Sequence, residues 1–487
     1  MVVEDGRVIV APSTELHDCS AVIDCQGKTM LPGFVDAHCH ILPTGLDLLK
    51  LNLTSCFTKE EILDTVRDRH LNQPDGWLLA VQYDNNKFAD GQHLTVHDLD
   101  RISNQRPILL RHYNGHCSIA NSVALAKANV TEETNNPSGG EFGRDSSGLL
   151  NGVLLEDAHE IVWAATPKPS LDEMVVAIMT AGDRMADLGI TCASDMMTGR
   201  FDLVNEFKAY QIAAANGCRI RTRLYVQWKE VFGPRGIGLE RLRELESTFD
   251  DPNRTRVAGV KLFADGAIGS ATAAIYGYYT GHPANGPVIS KNGQNTSEVG
   301  TSGQLIYSPE KLTNMTKTAS DAGYQVAIHA IGDYASDLVM DAFEASGNPS
   351  KHRLEHAMIL SDSQIERLQK LDCFVTMQPE FLLRFGHVYQ RQLGPEIASR
   401  LNRARSVIDA GLKLSFNSDR PIVPGAPMDG IKAAVNRPEG FDPSENITLV
   451  EAINGYTVKG DEVNGDAGFI GSLDAGEIAD FQLRDDL

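Results

Sequence analysis

The chain has little of what marks a membrane-spanning, secreted or nucleic-acid-binding protein. No apolar run approaches the roughly 20 residues that cross a bilayer, and the acidic N-terminal segment is unlike a signal peptide. Asp and Glu outnumber Lys and Arg by 65 to 44, giving a net charge of −21. This charge argues against a nucleic acid or an anionic membrane as partner, since both favour basic surfaces.

The cysteines also follow no recognisable spacing motif. All eight are scattered, with no Cys-x-x-Cys pair and no spacing typical of a disulfide framework. This distribution indicates reduced thiols, and we therefore expect a cytoplasmic protein.

Helix signals and short apolar strands alternate through the middle of the 487-residue chain. Ser170-Leu-Asp-Glu173 is a capping-box sequence, and Ser308-Pro309 places proline at the favoured first helical position. An Asp-x-Gly triplet precedes a strand three times, ending at Gly189, Gly323 and Gly411, where glycine suits a left-handed C-cap. Repeated helix–strand units predict an α/β fold with a parallel sheet, and their number predicts a (β/α)8 TIM-like barrel.

The two ends of the chain differ from the middle. Short β-rich segments, such as residues 21–25, and glycine-punctuated C-terminal residues predict one small β-sandwich domain built from residues 1–30 and 462–487. The barrel is then assigned to residues 31–461. Its helix–strand pattern is interrupted at about residues 75–155, which predicts an inserted subdomain over the barrel mouth.

The apolar run beginning at Leu31 ends in His38-Cys-His40. On a β-strand, alternate side chains share a face, so Asp36, His38 and His40 are expected to point the same way. Two neighbouring imidazoles suit a metal ion, because neutral histidine is a preferred ligand for Zn and similar ions. Taken alone, the pair also fits two polar residues that begin a loop.

Further metal-binding residue types occur where barrel strands are expected to end, the usual location of catalytic groups in such barrels. His329, His356 and Asp419 follow predicted strands, and Lys261 lies within an apolar run. Each has a simpler reading: a hydrogen-bonded core histidine, an aspartate opening a turn, or a lysine reaching solvent. A lysine buried in neutral form can instead add CO₂ and become a carbamate that bridges two metals. Chance explains the whole set poorly.

The order His-x-His, Lys, His, His, Asp resembles the amidohydrolase superfamily, specifically its amidohydrolase-3 branch of N-substituted formamide deformylases and D-aminoacylase-like hydrolases. The resemblance covers nearly the whole chain and rests on short motifs at residues 32–40, 114–116, 152–156, 260–266, 329–333, 355–356, 378–379, 418–419 and 471–480.

This resemblance implies two divalent metal ions in the barrel mouth, with Zn expected and Fe or Mn as alternatives. His38 and His40 would hold one ion with Asp419, His329 and His356 would hold the other, and a carboxylated Lys261 would bridge them. It further implies that a metal-bound hydroxide attacks the substrate, while Asp419 accepts its proton and delivers it to the departing amine.

The implied activity is cleavage of an amide-type C–N bond in a small molecule, with an N-substituted formamide or N-acyl amine expected as substrate. Deamination, cyclic-amide hydrolysis and a non-catalytic assembly role remain open as alternatives. His116, Gln378 and Asp265 are candidate substrate-binding residues. Their simpler readings are a loop histidine, a strand-ending glutamine and an aspartate that orients ligands or caps a turn. A homodimer is expected only because symmetric dimers are common.

Overall fold

The computed structural model describes residues 1–9, 20–73, 75–113, 115, 117–137, 140–280, 286–289, 295–300 and 301–485, with residues 286–289 and 295–300 represented only by the backbone of two strands. The chain divides into two compact units, one made of Met1–Leu42 with Ile178–Leu487 and the other of Pro43–Ala177. The candidate residue His116 lies outside the described residues, so its predicted role stays a prediction.

The N-terminal part of the first unit contains four strands, β1 (Val2–Glu4), β2 (Arg7–Ile9), β3 (Thr29–Pro32) and β4 (Phe34–Cys39). β1 and β2 pair antiparallel, and a bridge joins Arg7 to Ile478 near the C-terminus. The expected strand at residues 21–25 is wrong: this segment forms no strand, and Val22 is 80% exposed. β-branched residues favour a strand only where a partner strand and a half-buried surface exist.

The second unit is built around a mixed sheet with the strand order β5-β6-β7-β8-β10-β9. The predicted insertion at about residues 75–155 lies within this unit, and its position over the barrel mouth stays a prediction. The elements from its beginning to the return into the first unit are α1 (Ile41–Leu49), β5 (Leu51–Asn52), α2 (Lys59–Asn72), β6 (Leu78–Tyr83), α3 (Val96–Asp100), β7 (Ile108–His112), β8 (Cys117–Ala120), α4 (Ser122–Lys127), β9 (Gly140–Arg144), β10 (Leu150–Glu156), α5 (Asp157–Ala164) and α6 (Leu171–Asp187).

The remainder of the first unit alternates strands and helices. Its elements are β11 (Ile190–Thr198), α7 (Leu203–Ala215), β12 (Arg221–Gln227), α8 (Trp228–Val231), α9 (Leu239–Glu246), β13 (Thr255–Phe263), β14 (Gly286–Ile289), β15 (Asn295–Gly300), α10 (Pro309–Asp321), β16 (Gln325–Ala330), α11 (Asp333–Ala345), β17 (Arg353–His356), α12 (Asp362–Leu371), β18 (Phe374–Met377), α13 (Pro379–Leu393), α14 (Pro395–Ser399), α15 (Ala404–Asp409), β19 (Lys413–Phe416), α16 (Pro427–Val435), α17 (Leu449–Gly455), α18 (Val458–Val463) and β20 (Phe481–Arg484). β20 pairs antiparallel with β3; the composite β-domain and its boundaries stay a prediction.

Eight strands of the described chain form a parallel sheet in the order β19-β18-β17-β16-β13-β12-β11-β4. Its two edges meet where the Asp419 backbone N–H, just after β19, donates to the His38 carbonyl on β4 at 2.8 Å. The sheet is therefore nearly closed, which confirms the predicted (β/α)8 TIM-like barrel.

The predicted helix caps are present in the structure. Ser170 and Glu173 form the reciprocal capping bonds before α6, and the Ser308 hydroxyl accepts from the Lys311 N–H at the start of α10. The glycines of all three Asp-x-Gly triplets have positive φ values between 75° and 95°, a region that glycine occupies without steric cost. In the described part of the chain, no helix has both the length and the apolar character needed to cross a bilayer.

A buried histidine links the start of β16 to the helix before β17. His352 is fully buried, its Nδ1 accepts from the Val326 N–H at 3.1 Å, and its Nε2 lies 3.1 Å from the Ser346 hydroxyl. Since the backbone N–H must donate, Nδ1 is the acceptor and Nε2 carries the proton. Burial lowers the pKa of His352 to about 4.

We predict that His352 contributes to acid sensitivity of the fold. Its pKa is about 4 when folded and about 6.5 when unfolded, so the unfolded chain binds the extra proton first. The stabilisation that the neutral His352 ring provides is complete above pH 6.5 and is lost as the pH falls through 4. The free energy of unfolding then decreases by up to about 3 kcal/mol. Melting temperatures of the metal-free protein at pH 7 and 4.5 should therefore differ less in His352→Gln than in the wild type. An equal difference in both would contradict this prediction.

Candidate metal centre

Strand β4 presents alternate side chains to the barrel interior, as its sequence predicts. Asp36 and His38 are each 1% exposed, and both contact groups at the end of β19. The Cys39 thiol lies on the opposite face and donates to the Ser194 carbonyl at 3.3 Å. Two-residue alternation therefore places Asp36, His38 and His40 toward one site.

Asp419 lies close to His38 on β4 and to His40, which directly follows that strand. Its Oδ1 lies 3.0 Å from His40 Nε2 and 3.4 Å from His38 Nε2. The Ser418 backbone N–H and hydroxyl both donate to the Asp36 carboxylate, at 3.0 and 2.5 Å. Asp419 itself has φ +52°, a left-handed conformation that is uncommon outside glycine and recurs at functional sites.

The donor set fits a divalent cation. One ligand atom from each of His38, His40 and Asp419 can be chosen so that all lie within 4.8 Å of one another, and two imidazoles with a carboxylate are ligands that Zn accepts. His40 Nδ1 is buried without a hydrogen-bond partner among the described residues. An unsatisfied buried nitrogen is costly, and a cation would offset that cost only by binding Nδ1, whereas Nε2 is the His40 nitrogen that lies beside Asp419.

The remaining predicted ligands are neighbours of this group. Lys261 Nζ lies 3.3 Å from His38 Nε2. The His356 ring is 4.8 Å from that of His38 and 4.3 Å from that of His329, between ring centres. The structure thus brings all six predicted ligands together, while a second metal ion and the carbamate stay predictions.

His356 reaches the site because the backbone departs from strand geometry. On a regular strand, Glu355 and His356 would face opposite sides of the sheet. His356 has φ +72° and Ala357 has φ +45°, and the His356 ring lies beside His38, the residue that Glu355 also contacts. Two consecutive side chains therefore serve one site.

Burial shifts the charge state of these groups. It lowers the pKa of His329 to about 3 and holds the pKa values of His38 and His356 well below their usual range. Burial also lowers the pKa of the Lys261 ammonium to about 8. Neutral imidazoles are the form that binds metals, so the site favours the protonation states that a metal centre needs.

Two of the predicted substrate-binding residues make extensive contacts within the protein. Gln378 Oε1 lies 3.0 Å from His356 Nδ1, and its Nε2 donates to Asn417 at 2.7 Å. Asp265 accepts from the backbone N–H groups of Ala274, Ile331 and Gly332, at 2.8–3.1 Å. These contacts orient a histidine and organise a loop, and the substrate-binding roles stay predictions.

The sequence analysis missed an ion pair beneath the histidines. Arg353 and Glu355 are both fully buried, hydrogen bond to each other, and Glu355 also contacts His38 Nδ1. The rule that singled out Lys261 applies equally to them, because charged residues are rarely fully buried unless paired. Arg353 and Glu355 are two residues apart on β17, which places both side chains on one face of the strand. This spacing could have identified the pair from the sequence.

A (β/α)8 barrel with polar ligands gathered at the carboxyl ends of its strands defines a class of metal-dependent enzymes. A sequence model of the amidohydrolase family matches residues 21–486. The chain therefore belongs to the amidohydrolase family and is a hydrolytic enzyme acting on C–N bonds.

Individual relatives are similar over nearly the whole chain. The putative amidohydrolase YtcJ of Bacillus subtilis is 31% identical over 482 residues, covering 95% of this chain and 84% of YtcJ. N-substituted formamide deformylase of Arthrobacter pascens is 28% identical over 513 residues, covering 100% of this chain and 89% of that protein. An uncharacterised metal-dependent hydrolase from Pyrococcus horikoshii has a TM-score of 0.79 at 25% identity, covering 99% and 92% of the two chains.

We predict that removing His40 abolishes most metal binding. After chelation and reloading with zinc, the wild type should carry on the order of one or two ions per chain and melt at a higher temperature, since a ligand that binds only the folded state stabilises it. His40→Ala should lose the bound metal and the thermal shift.

The matched control is His387→Ala, which removes an exposed histidine from α13 and should bind zinc as the wild type does. Equal metal content in His40→Ala and the wild type would contradict the assignment of His40.

Proposed function

We propose that this amidohydrolase is a metal-dependent enzyme that cleaves the amide-type C–N bond of an N-substituted formamide or N-acyl amine. The observation that carries the proposal is the clustering of His38, His40 and Asp419 within 4.8 Å, beside a buried Lys261. The relative named N-substituted formamide deformylase supports the choice of substrate class.

The side chains divide the chemistry between them. A bound divalent cation would supply Lewis acidity and lower the pKa of coordinated water toward neutrality. His38 and His40 would hold it through ring nitrogens, and the contact of His38 Nδ1 with Glu355 keeps the His38 ring in place. The Asp419 carboxylate, whose side chain is 11% exposed, is reachable from the barrel mouth. It would accept the proton released from water and deliver it to the departing amine.

The surroundings of Lys261 favour a carboxylated side chain over a charged ammonium. It is 1% exposed, and with a pKa of about 8 a sizeable fraction of its amine is neutral near that pH. In the proposed centre, this amine forms a bond to the carbon of CO₂ and loses a proton, which gives a carbamate. The carbamate would replace an unfavourable buried cation by an anion that bridges two metal ions, with Zn as the proposed metal.

The remaining assignments follow from the sequence. We propose a small-molecule substrate, no nucleic-acid or membrane partner, a cytoplasmic location and a homodimer. The net charge of −21 supports the exclusion of nucleic-acid and membrane partners, because basic surfaces serve nucleic acids and anionic lipids.

The decisive test is a substrate panel with the zinc-loaded enzyme. N-formyl amines, longer N-acyl amines and cyclic amides are incubated in parallel, and amine release or ring opening is followed. We expect turnover of N-formyl or N-acyl amines. Activity confined to cyclic amides, or to ammonia release from amino-substituted rings, would replace the proposal by one of those two reactions, and a metal-loaded but inactive protein would contradict it.

We predict that Asp419→Asn retains metal but loses turnover. The amide can still supply an oxygen ligand, but it cannot take up the proton, and general acid–base catalysis contributes about 100- to 10,000-fold. Metal content is measured together with kcat on the best substrate of the panel.

The control is Asp409→Asn, which removes a surface carboxylate paired with Arg405 at 2.9 Å and should leave kcat unchanged. A kcat near the wild-type value in Asp419→Asn would remove this residue from the proposed proton transfer.

A further inference from the structure

We infer that Glu355 is a positioning residue of the metal centre: together with Arg353 it fixes the His38 ring so that Nδ1 carries the proton and Nε2 faces the cation. The inference rests on the metal centre of the proposed function. It assigns a role to a buried ion pair that contacts the proposed metal ligands through His38 Nδ1.

The His38 ring has two different environments. Its Nδ1 contacts Glu355 Oε2, whereas its Nε2 lies 3.3 Å from Lys261 Nζ and 3.4 Å from Asp419 Oδ1. An ionised carboxylate only accepts hydrogen bonds, so Nδ1 must donate to Glu355. The lone pair of the neutral ring is then on Nε2, on the side of the other ligands.

Both carboxyl oxygens of Glu355 accept hydrogen bonds from neighbouring donors. Its Oε1 accepts from Arg353 Nε, and its Oε2 accepts from Arg353 Nη2 at 3.2 Å and from the Thr376 hydroxyl at 2.8 Å. The side chain is 0% exposed. With its oxygens engaged in this way, Glu355 cannot reach a substrate, and a role as catalytic base is excluded.

Arg353 in turn anchors Glu355 to the barrel interior. Besides its bonds to Glu355, the guanidinium donates to the Ala37 carbonyl at 2.7 Å, to the Tyr225 hydroxyl at 3.0 Å and to Asn464 Oδ1 at 3.2 Å. These bonds use all five N–H donors of arginine. Because Ala37 precedes His38 on β4, the same guanidinium ties Glu355 to the strand that carries the histidine.

A neutral amide could not replace Glu355 in this arrangement. A glutamine that turns its oxygen toward His38 presents its NH₂ group to the guanidinium of Arg353, so two donors face each other. Turned the other way, its NH₂ donates to His38 Nδ1 and moves the ring proton to Nε2, where the metal must bind. Partners that orient metal-binding histidines typically contribute 10- to 100-fold in metal affinity.

The test compares zinc affinity by chelator competition in the wild type and Glu355→Gln. We expect about a 10- to 100-fold weaker affinity in the variant, measured at a temperature at which circular dichroism shows the metal-free variant still folded, because loss of one partner of a buried ion pair also lowers the melting temperature. In ¹⁵N-histidine-labelled, zinc-loaded wild type, nitrogen NMR should show a proton on His38 Nδ1. A zinc affinity within about threefold of the wild type, or a proton on His38 Nε2 in the wild type, would overturn the inference.

The matched control is Glu206→Gln. Glu206 is also a buried carboxylate, and it accepts from the backbone N–H groups of Gly199 and Phe201 at 2.6 and 2.7 Å, away from the histidines. It should bind zinc as the wild type does, and an equal loss in both variants would overturn the inference by showing a general effect of buried amides.

If Glu355→Gln fails to fold, Thr376→Val replaces it. This variant removes one donor to Glu355 Oε2 and should weaken zinc binding several-fold, whereas unchanged binding would overturn the inference. The outcome for the proposed function is separate: a wild type that binds no metal overturns both, and tight zinc binding by Glu355→Gln overturns only the role of Glu355.

Discussion

The contact between the first and last barrel strands is the constraint on which the site depends. Ser418 donates twice to Asp36, a residue 382 positions earlier, and the Asp419 N–H donates to the His38 carbonyl. These bonds close the sheet at the level of the ligands. Without them, His38 and Asp419 would lie on opposite edges of an open sheet, and no cation could contact both.

Strained backbone supplements this closure. His356 and Asp419 both adopt left-handed φ values, which cost of order 1–3 kcal/mol each for residues other than glycine. In His356 the conformation turns a side chain that would leave the barrel back toward His38. The stability of the surrounding strands offsets this cost, and a more complete ligand set results.

The interior beneath the centre is unusually polar for a barrel core. Arg353 and Glu355 neutralise each other, and Ala37, Tyr225 and Asn464 take up the remaining donors of the guanidinium. Breaking such a buried pair costs about 3–5 kcal/mol, whereas well-packed apolar residues in its place are often at least as stable. Its presence is therefore better explained by the orientation of His38 than by the stability of the fold.

The sequence by itself determined the local and periodic features. Helix caps at Ser170 and Ser308, and the alternation of β4, depend on neighbours a few residues away, and Lys261 stands out because a lone lysine is costly to bury. Only the tertiary structure decided which distant groups meet. Glu355 could not be assigned to the same site as His356, because regular strand geometry separates them and the φ value of His356 is set by its surroundings. Residues 21–25 show the converse: their strand-forming side chains form no strand, since none of the described residues supplies a partner strand.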